Sequence, residues 1–275
     1  TIFGTIQSTL SNFRYLTKKW KENTEEERLL GVSLTGIMDH NILSGGIFNR
    51  QVLTDMLTNL KEHAINTNKK WSKILGVNQA TAITCVKPSG TVSQLVDSAS
   101  GIHPRYSSYY LRTVRADKKD PLCDMMLDKG FYGEDDAMKP NDTKVFYFPM
   151  MSPKSSVMRD GKNAIEQLEI WKTYQLYWCE HKPSITVYVK EEEWLEVGAW
   201  VYKNFDVMSG VSFLPHSEHS YKQAPYQEVN ESTYKEWLAK TPRNINWMDL
   251  TNYEKEDNTT SSKELACTAG ACEIV

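Results

Sequence analysis

Apolar and polar positions along the 275-residue chain change period several times, and each change marks an expected element. In "TIFGTIQSTLSNFRYL", Ile6, Leu10, Phe13 and Leu16 fall at helical spacing with no cap before them, which predicts a helix from the first residues. "NTEEERLLGVSLTGIMD" offers Asn23 or Thr24 as an N-cap, acidic residues for a first turn and a stop at Gly31. The longest helical pattern covers 49–75 and stops at Gly76. Residues 82–86 form a short β-rich run that breaks into Pro-Ser-Gly. "DPLCDMMLDKG" carries an Asp cap, a proline at the first helical position and a closing glycine, so it predicts a helix within 120–130.

The middle of the chain alternates. "TKVFYFPM", "SITVYV" and "GVSFLP" read as strands, separated by the helical patterns "NAIEQLEIWKTYQLYWCEHK" and "KEEEWLEVGAWVYKNF". Strands alternating with helices predict parallel pairing through right-handed crossovers. Near-continuous apolar strands suit a sheet or barrel covered by helices. "STYKEWLAK" adds a short helix before "NYEKEDNTTSSKE", which has no apolar period and reads as a flexible lead. The expectation is one α/β unit over 1–250 and a flexible tail over 251–275.

Composition changes this picture little. Hydrophobic residues make up 40% and charged residues 24%, an ordinary globular balance with room for a core. A net charge of -3 gives no electrostatic reason to expect nucleic acid or a membrane surface as partner. No apolar run approaches the roughly 20 residues that span a bilayer, and no signal peptide opens the chain. The cysteines number five, with Cys85, Cys123 and Cys179 widely scattered, which argues against a secreted disulfide scaffold and for a reducing cytoplasm. Thr1 is not a methionine, and the chain begins directly in helical pattern, as if cut from something longer.

Candidate chemistry gathers at a few points. In "KPSGTVSQL" the amides of Ser89, Gly90, Thr91 and Val92 can converge on an anion, with hydroxyls from Ser89, Thr91 and Ser93. The alternative is a Pro-Ser-Gly turn whose hydroxyls only cap a helix. In "GIHPRYS", His103 and Arg105 either face an active-site mouth or belong to a packed turn with Arg105 paired to a carboxylate. Tyr109, Tyr110 and the tryptophans Trp171, Trp178, Trp194 and Trp200 read as packing residues. His216 and His219 are too few to hold a metal. Cys267 and Cys272 stand in "CTAGAC" near the end of the chain, with small residues between them that permit ring closure. Half of a zinc site lacks its two further ligands.

Taken together these strings resemble one family. "ITCVKPSGTVSQL" followed by "SGIHPRYSSYYLRTVR" resembles the substrate-phosphate loop and following segment of adenosylcobalamin-dependent (class II) ribonucleotide reductases. "FYFPMMSP", "PSITVYV", "GVSFLP" and "YKQAPYQEV" resemble the later barrel strands and the segment beyond them in the monomeric triphosphate-reducing branch, and "CTAGAC" its terminal redox pair. The resemblance implies part of a ten-stranded α/β barrel. It also implies reduction of ribonucleoside triphosphates by a thiyl-radical mechanism, with adenosylcobalamin as cofactor. Ser89 to Ser93 would hold the substrate phosphates. Cys267 and Cys272 would enter the barrel, exchange disulfides and carry the oxidised pair out to thioredoxin or a similar reductant. A tail of about 20 residues reaches roughly 25 Å, enough for that journey.

One departure bears on what this chain does alone. The family's finger loop carries an Asn-x-Cys-x-Glu pattern that these residues lack. The radical cysteine, the reducing cysteines and much of the cobalamin region are therefore expected upstream of Thr1. The chain reads as a carboxy-terminal portion that needs the amino-terminal portion as partner. Two other classes compete. A non-catalytic nucleotide-binding module would not need the tail, and a stand-alone thiol oxidoreductase usually carries Cys-x-x-Cys at a helix start.

Overall fold

The computed structural model describes residues 1–45, 50–90, 92–216 and 222–254. Thr91, His219, Cys267 and Cys272 lie outside the described residues. In chain order the elements are α1 (Ile2–Gln7), α2 (Lys18–Glu27), β1 (Val32–Ser33), a 3-10 turn (Ile37–Asp39), α3 (Arg50–Leu75), β2 (Thr84–Cys85), α4 (Val92–Leu95) and β3 (Tyr109–Asp117). Then come α5 (Pro121–Asp128), β4 (Gly133–Asp135), β5 (Thr143–Met151), α6 (Ala164–Tyr177), β6 (Ser184–Val189), α7 (Trp194–Lys203), β7 (Gly210–Pro215), β8 (Tyr226–Glu228) and α8 (Glu231–Lys240). Periodicity suggests one unit over 1–250, whereas the chain divides into two compact units. The first comprises 1–105 and 155–216, and the second 106–154 and the residues from 217 onward.

The first unit holds two parallel strand pairs. β1 pairs with β2, setting Val32 opposite Thr84, and β6 pairs with β7 from Ser184–Gly210 to Val189–Pro215. The α7 crossover between β6 and β7 is the connection the alternating pattern predicts. Along β6 only Ile185, Val187 and Val189 are buried, so one face enters the core. That core includes Leu57 from α3, Leu168, Trp171 and Tyr174 from α6, and Trp200 from α7. α6 begins with a reciprocal cap in which Asn163 accepts from the Glu166 amide while Glu166 accepts from the Asn163 amide. Its far end is tied to β2, because the Trp178 indole donates to the Cys85 carbonyl at 2.7 Å and the Thr84 hydroxyl to the Trp178 carbonyl.

The second unit is an antiparallel sheet in the order β4-β5-β3-β8. This corrects the expectation for "TKVFYFPM", whose strand β5 pairs antiparallel with β3, Val114 opposite Phe146, and does not join β6. The apolar run "VFYF" reports burial on both faces, which helices can supply to an antiparallel sheet as well. Phe146 and Phe148 pack with Cys123 and Met126 of α5, while Val145 and Tyr147 pack with Trp237 of α8. α5 starts as predicted: the Asp120 side chain accepts from the Leu122 amide, with Pro121 in the first turn.

Two helix expectations near the start also change. α1 stops at Gln7, leaving Leu10 and Leu16 exposed, and its buried position is Thr5, which accepts from the Asn68 amide of α3. A side-chain contact made 63 residues away sets the buried face here, and no local period carries it. α2 spans Lys18–Glu27, so the acidic residues expected in a first turn fall in its last turn. The terminus is set by Arg28 in the left-handed region (φ 45°), whose guanidinium donates to the Ser8 carbonyl.

Two glycines on α7 and β7 predict opposite effects. A Cβ at Gly210 would lie 2.6 Å from the Pro183 carbonyl oxygen, so Gly210→Ala is expected to destabilise by about 1–3 kcal/mol. At helical Gly198 a Cβ meets nothing within 4 Å, so Gly198→Ala is expected to stabilise by about 0.5–1 kcal/mol. Urea unfolding of both variants checks the pair of signs.

Candidate functional site

The Pro-Ser-Gly loop leaves the carboxyl end of β2 and turns at once into α4, a single four-residue turn. Carboxyl ends of parallel strands are where α/β sheets build sites. Ser89 is tied down on two sides: its amide donates to the Ser100 hydroxyl at 2.9 Å, and its hydroxyl lies 2.8 Å from that of Thr35. Gly90 is different. It is exposed, a Cβ there would meet nothing within 4 Å, and its φ lies outside the left-handed region. Among the described residues the Gly90 and Val92 amides have no acceptor. Ser93 is fully buried, its amide donates to the Ser89 carbonyl at 2.8 Å, and its hydroxyl oxygen has no partner among the described residues.

The return segment after α4 is held by a buried ion pair. Arg105 is 5% exposed; its Nε and Nη2 donate to the two carboxylate oxygens of Asp39, each at 2.9 Å. Nη1 donates to the Asp97 carboxylate at 3.0 Å and Nη2 also to the Asp97 carbonyl at 2.7 Å. Asp39 further accepts from the Ala99 amide and the Ser156 hydroxyl. Burial alone would raise the Asp39 pKa, but the hydrogen bonds from Arg105, Ser156 and Ala99 outweigh it and hold the carboxyl below its usual value. Of the two readings open for Arg105, the geometry is that of the packed turn paired to a carboxylate.

His103 is equally engaged. The Thr186 amide donates to its Nε2 at 3.1 Å, so Nδ1 carries the proton and donates to the Ser100 carbonyl. Burial lowers its pKa against the opposing effect of that carbonyl bond, which keeps the ring neutral. The ring therefore pins the return loop to β6. His216 lies 2.8 Å from Asp160, and no group of three His, Cys, Asp or Glu able to hold a metal occurs among the described residues.

The three described cysteines are buried. Burial pushes the Cys85 thiol up, that of Cys179 to about 12 and that of Cys123 to about 11. Such thiols are poor nucleophiles and act as small apolar side chains. Tyr110 is buried and stacks at a tilt on Tyr226, and Trp171, Trp178 and Trp200 lie in the core, whereas Trp194 is 40% exposed. Thr35, Asp39, Asp97, Ser100 and Ser156 escaped the sequence reading. Their partners lie up to 117 residues away, and "SLTGIMD" carries no local signal of that pairing.

The chain is similar to known proteins along most of its length. No family model matches it. It is 27% identical over 283 residues to an adenosylcobalamin-dependent ribonucleoside-triphosphate reductase of Lactobacillus acidophilus, covering 91% of this chain and 37% of the relative. It is 29% identical over 254 residues to a probable reductase of the same name in Dictyostelium discoideum, covering 90% of this chain and 32% of that one. Over about nine-tenths of its length the chain is similar to adenosylcobalamin-dependent ribonucleoside-triphosphate reductases. Its fold agrees with theirs: a crystal structure of a B-12-dependent (class II) ribonucleotide reductase superposes with a TM-score of 0.74 at 22% identity, over 87% of this chain and 36% of that one. The chain thus spans about a third of the length of the reductases it matches. Among the described residues no helix is long and apolar enough to cross a membrane.

The ion pair yields a pH prediction. Asp39 has a folded pKa below its ordinary value of 3.8, so its stabilisation is complete above that value and is lost as pH falls through the folded pKa. Asp39→Asn is expected to unfold more easily than wild type at pH 7, and the gap should shrink below about pH 4. Arg105→Ala strands the Asp39 carboxylate and is expected to cost about 3–5 kcal/mol at neutral pH. Denaturant midpoints across the pH series check both.

Proposed function

We propose that this chain forms part of an adenosylcobalamin-dependent ribonucleoside-triphosphate reductase, contributing the substrate-phosphate loop and a pair of shuttle thiols. The observation that carries the proposal is its alignment with such reductases over 91% of its length. In this reading residues 1–250 belong to a ten-stranded α/β barrel completed by the amino-terminal portion of a longer protein, and 251–275 form a redox tail. The complete enzyme converts ribonucleoside triphosphates to 2'-deoxyribonucleotides in the cytoplasm.

Three features support the phosphate role of the loop. An exposed glycine with an ordinary φ and open space beside it is not demanded by the chain's own packing; its benefit is to whatever approaches from outside. The Gly90 and Val92 amides lack acceptors among the described residues, and amides in that state favour an anion. The buried Ser93 hydroxyl also wants a partner. Thr91 completes the proposed set from outside the described residues.

One described cavity of the first unit is too small for a corrin. The cavity lined by Gly45, Arg50, Lys162, Glu166 and Glu169 has a volume of about 170 Å³, below the roughly 300–1,000 Å³ of small-molecule sites. The buried thiols carry raised pKa values, as described above. Adenosylcobalamin is therefore assigned to the complete enzyme. What this chain adds to the redox cycle is the tail. A thiolate of the Cys267–Cys272 pair attacks the disulfide left by one reduction, giving a mixed disulfide, and the second thiol resolves it. The oxidised tail is then reduced by an external dithiol such as thioredoxin.

Reconstitution tests each part. The chain alone is expected not to reduce a ribonucleotide, while the chain supplied with the amino-terminal portion and adenosylcobalamin is expected to do so. Gly90→Val should leave the unfolding curve unchanged but weaken triphosphate binding, each lost amide bond costing about 1–3 kcal/mol. Cys267→Ser or Cys272→Ser should abolish multiple turnover with thioredoxin, spare a single turnover, and respond to dithiothreitol. Equal thioredoxin-driven rates in wild type and the double serine variant would remove the shuttle role.

A further inference from the structure

We infer that Thr35 is the positioning residue of the anion loop, an inference that rests on the phosphate reading above. Its hydroxyl oxygen has three neighbours: the Ala99 carbonyl oxygen at 3.0 Å, the Gly101 amide at 3.1 Å and the Ser89 hydroxyl at 2.8 Å. A threonine hydroxyl has one proton. The Ala99 carbonyl can only accept, so it takes that proton. The Gly101 amide can only donate. The contact with Ser89 is then closed by the Ser89 proton, which points at Thr35. The Ser89 amide is already committed to the Ser100 hydroxyl. Both donors of Ser89 therefore face inward, and this serine anchors the loop instead of offering protons to a ligand.

Among the described residues, that division of labour leaves the Gly90 and Val92 amides as the backbone donors for the terminal phosphates of a nucleoside triphosphate. Two amides recognise an anion only when their directions are set beforehand, because ordering the loop at the moment of binding costs affinity. Thr35 supplies this order from the carboxyl end of the neighbouring strand β1, and it cannot drift. The Gly36 amide donates to the Ala99 carbonyl at 2.7 Å. Gly101 has φ +53°, and a Cβ there would lie 2.8 Å from the Lys87 carbonyl oxygen. The return segment is thus pressed against the start of the loop, and the Thr35 hydroxyl bridges the two.

The test titrates the full chain with inorganic triphosphate, following binding by phosphorus NMR and fold by thermal unfolding. Thr35→Val keeps the branched shape and deletes the bridge; affinity is expected to fall about tenfold or more. Thr35→Ser keeps the hydroxyl and is expected to restore binding to within about twofold of wild type. Should Thr35→Val fail to fold, Ser89→Ala, which removes the other half of the same hydroxyl contact, is expected to weaken binding in the same direction. Loss of affinity on Gly90→Val with wild-type affinity in Thr35→Val, or in Ser89→Ala where it is the variant used, overturns the role of Thr35 and leaves the phosphate loop standing. Recovery of stability without affinity in Thr35→Ser reduces the residue to a structural one and also overturns the inference. No binding of triphosphate by wild type removes the phosphate reading and this inference with it.

Discussion

The loop region of the first unit depends on one interaction, the buried pair between Asp39 and Arg105. A guanidinium with 4% of its side chain exposed is tolerable only when its nitrogens are engaged, and four hydrogen bonds to Asp39 and Asp97 engage all three. The carboxylate is also saturated, by the Ala99 amide and the Ser156 hydroxyl. These partners come from four separate stretches of chain, so the pair fixes a geometry that none of the stretches could hold alone. Exposed pairs such as Lys18–Glu22, with both side chains more than half exposed, contribute little by comparison.

Around that pair the chain separates support from contact. Arg105, His103, Thr35 and Ser89 are all occupied inward, by carboxylate, carbonyl, amide and hydroxyl partners. The Gly90 and Val92 amides have no acceptor among the described residues, and a Cβ on Gly90 would meet open space. A site built this way has its order determined before any ligand arrives. It also explains why Thr35 and Ser89, each just beyond the carboxyl end of a parallel strand, meet at all: β1 and β2 run side by side in the same direction.

Cys85, Cys123 and Cys179 sit in apolar surroundings that disfavour the thiolate, and the buried tyrosines and tryptophans pack against sheets. Electron transfer in the proposed enzyme therefore falls to other thiols, among them Cys267 and Cys272, and to the rest of the reductase.

Much was legible from the order of residues because it is local. The helix at Arg50–Leu75 with its stop at Gly76, the capped helix after Asp120, and the β6–α7–β7 crossover follow from period, caps and glycine, which act within a few residues. The position of Gly90 after a strand was equally plain. The tertiary structure alone decided that β5 pairs antiparallel with β3, that α1 ends at Gln7, that Ser89 faces Thr35 and that Arg105 faces Asp39. An apolar run records that both faces of a strand are buried, not which strand lies beside it or in which direction. A polar side chain records that it needs a partner, not which one, and here the partner is brought by the folding of distant segments onto one another.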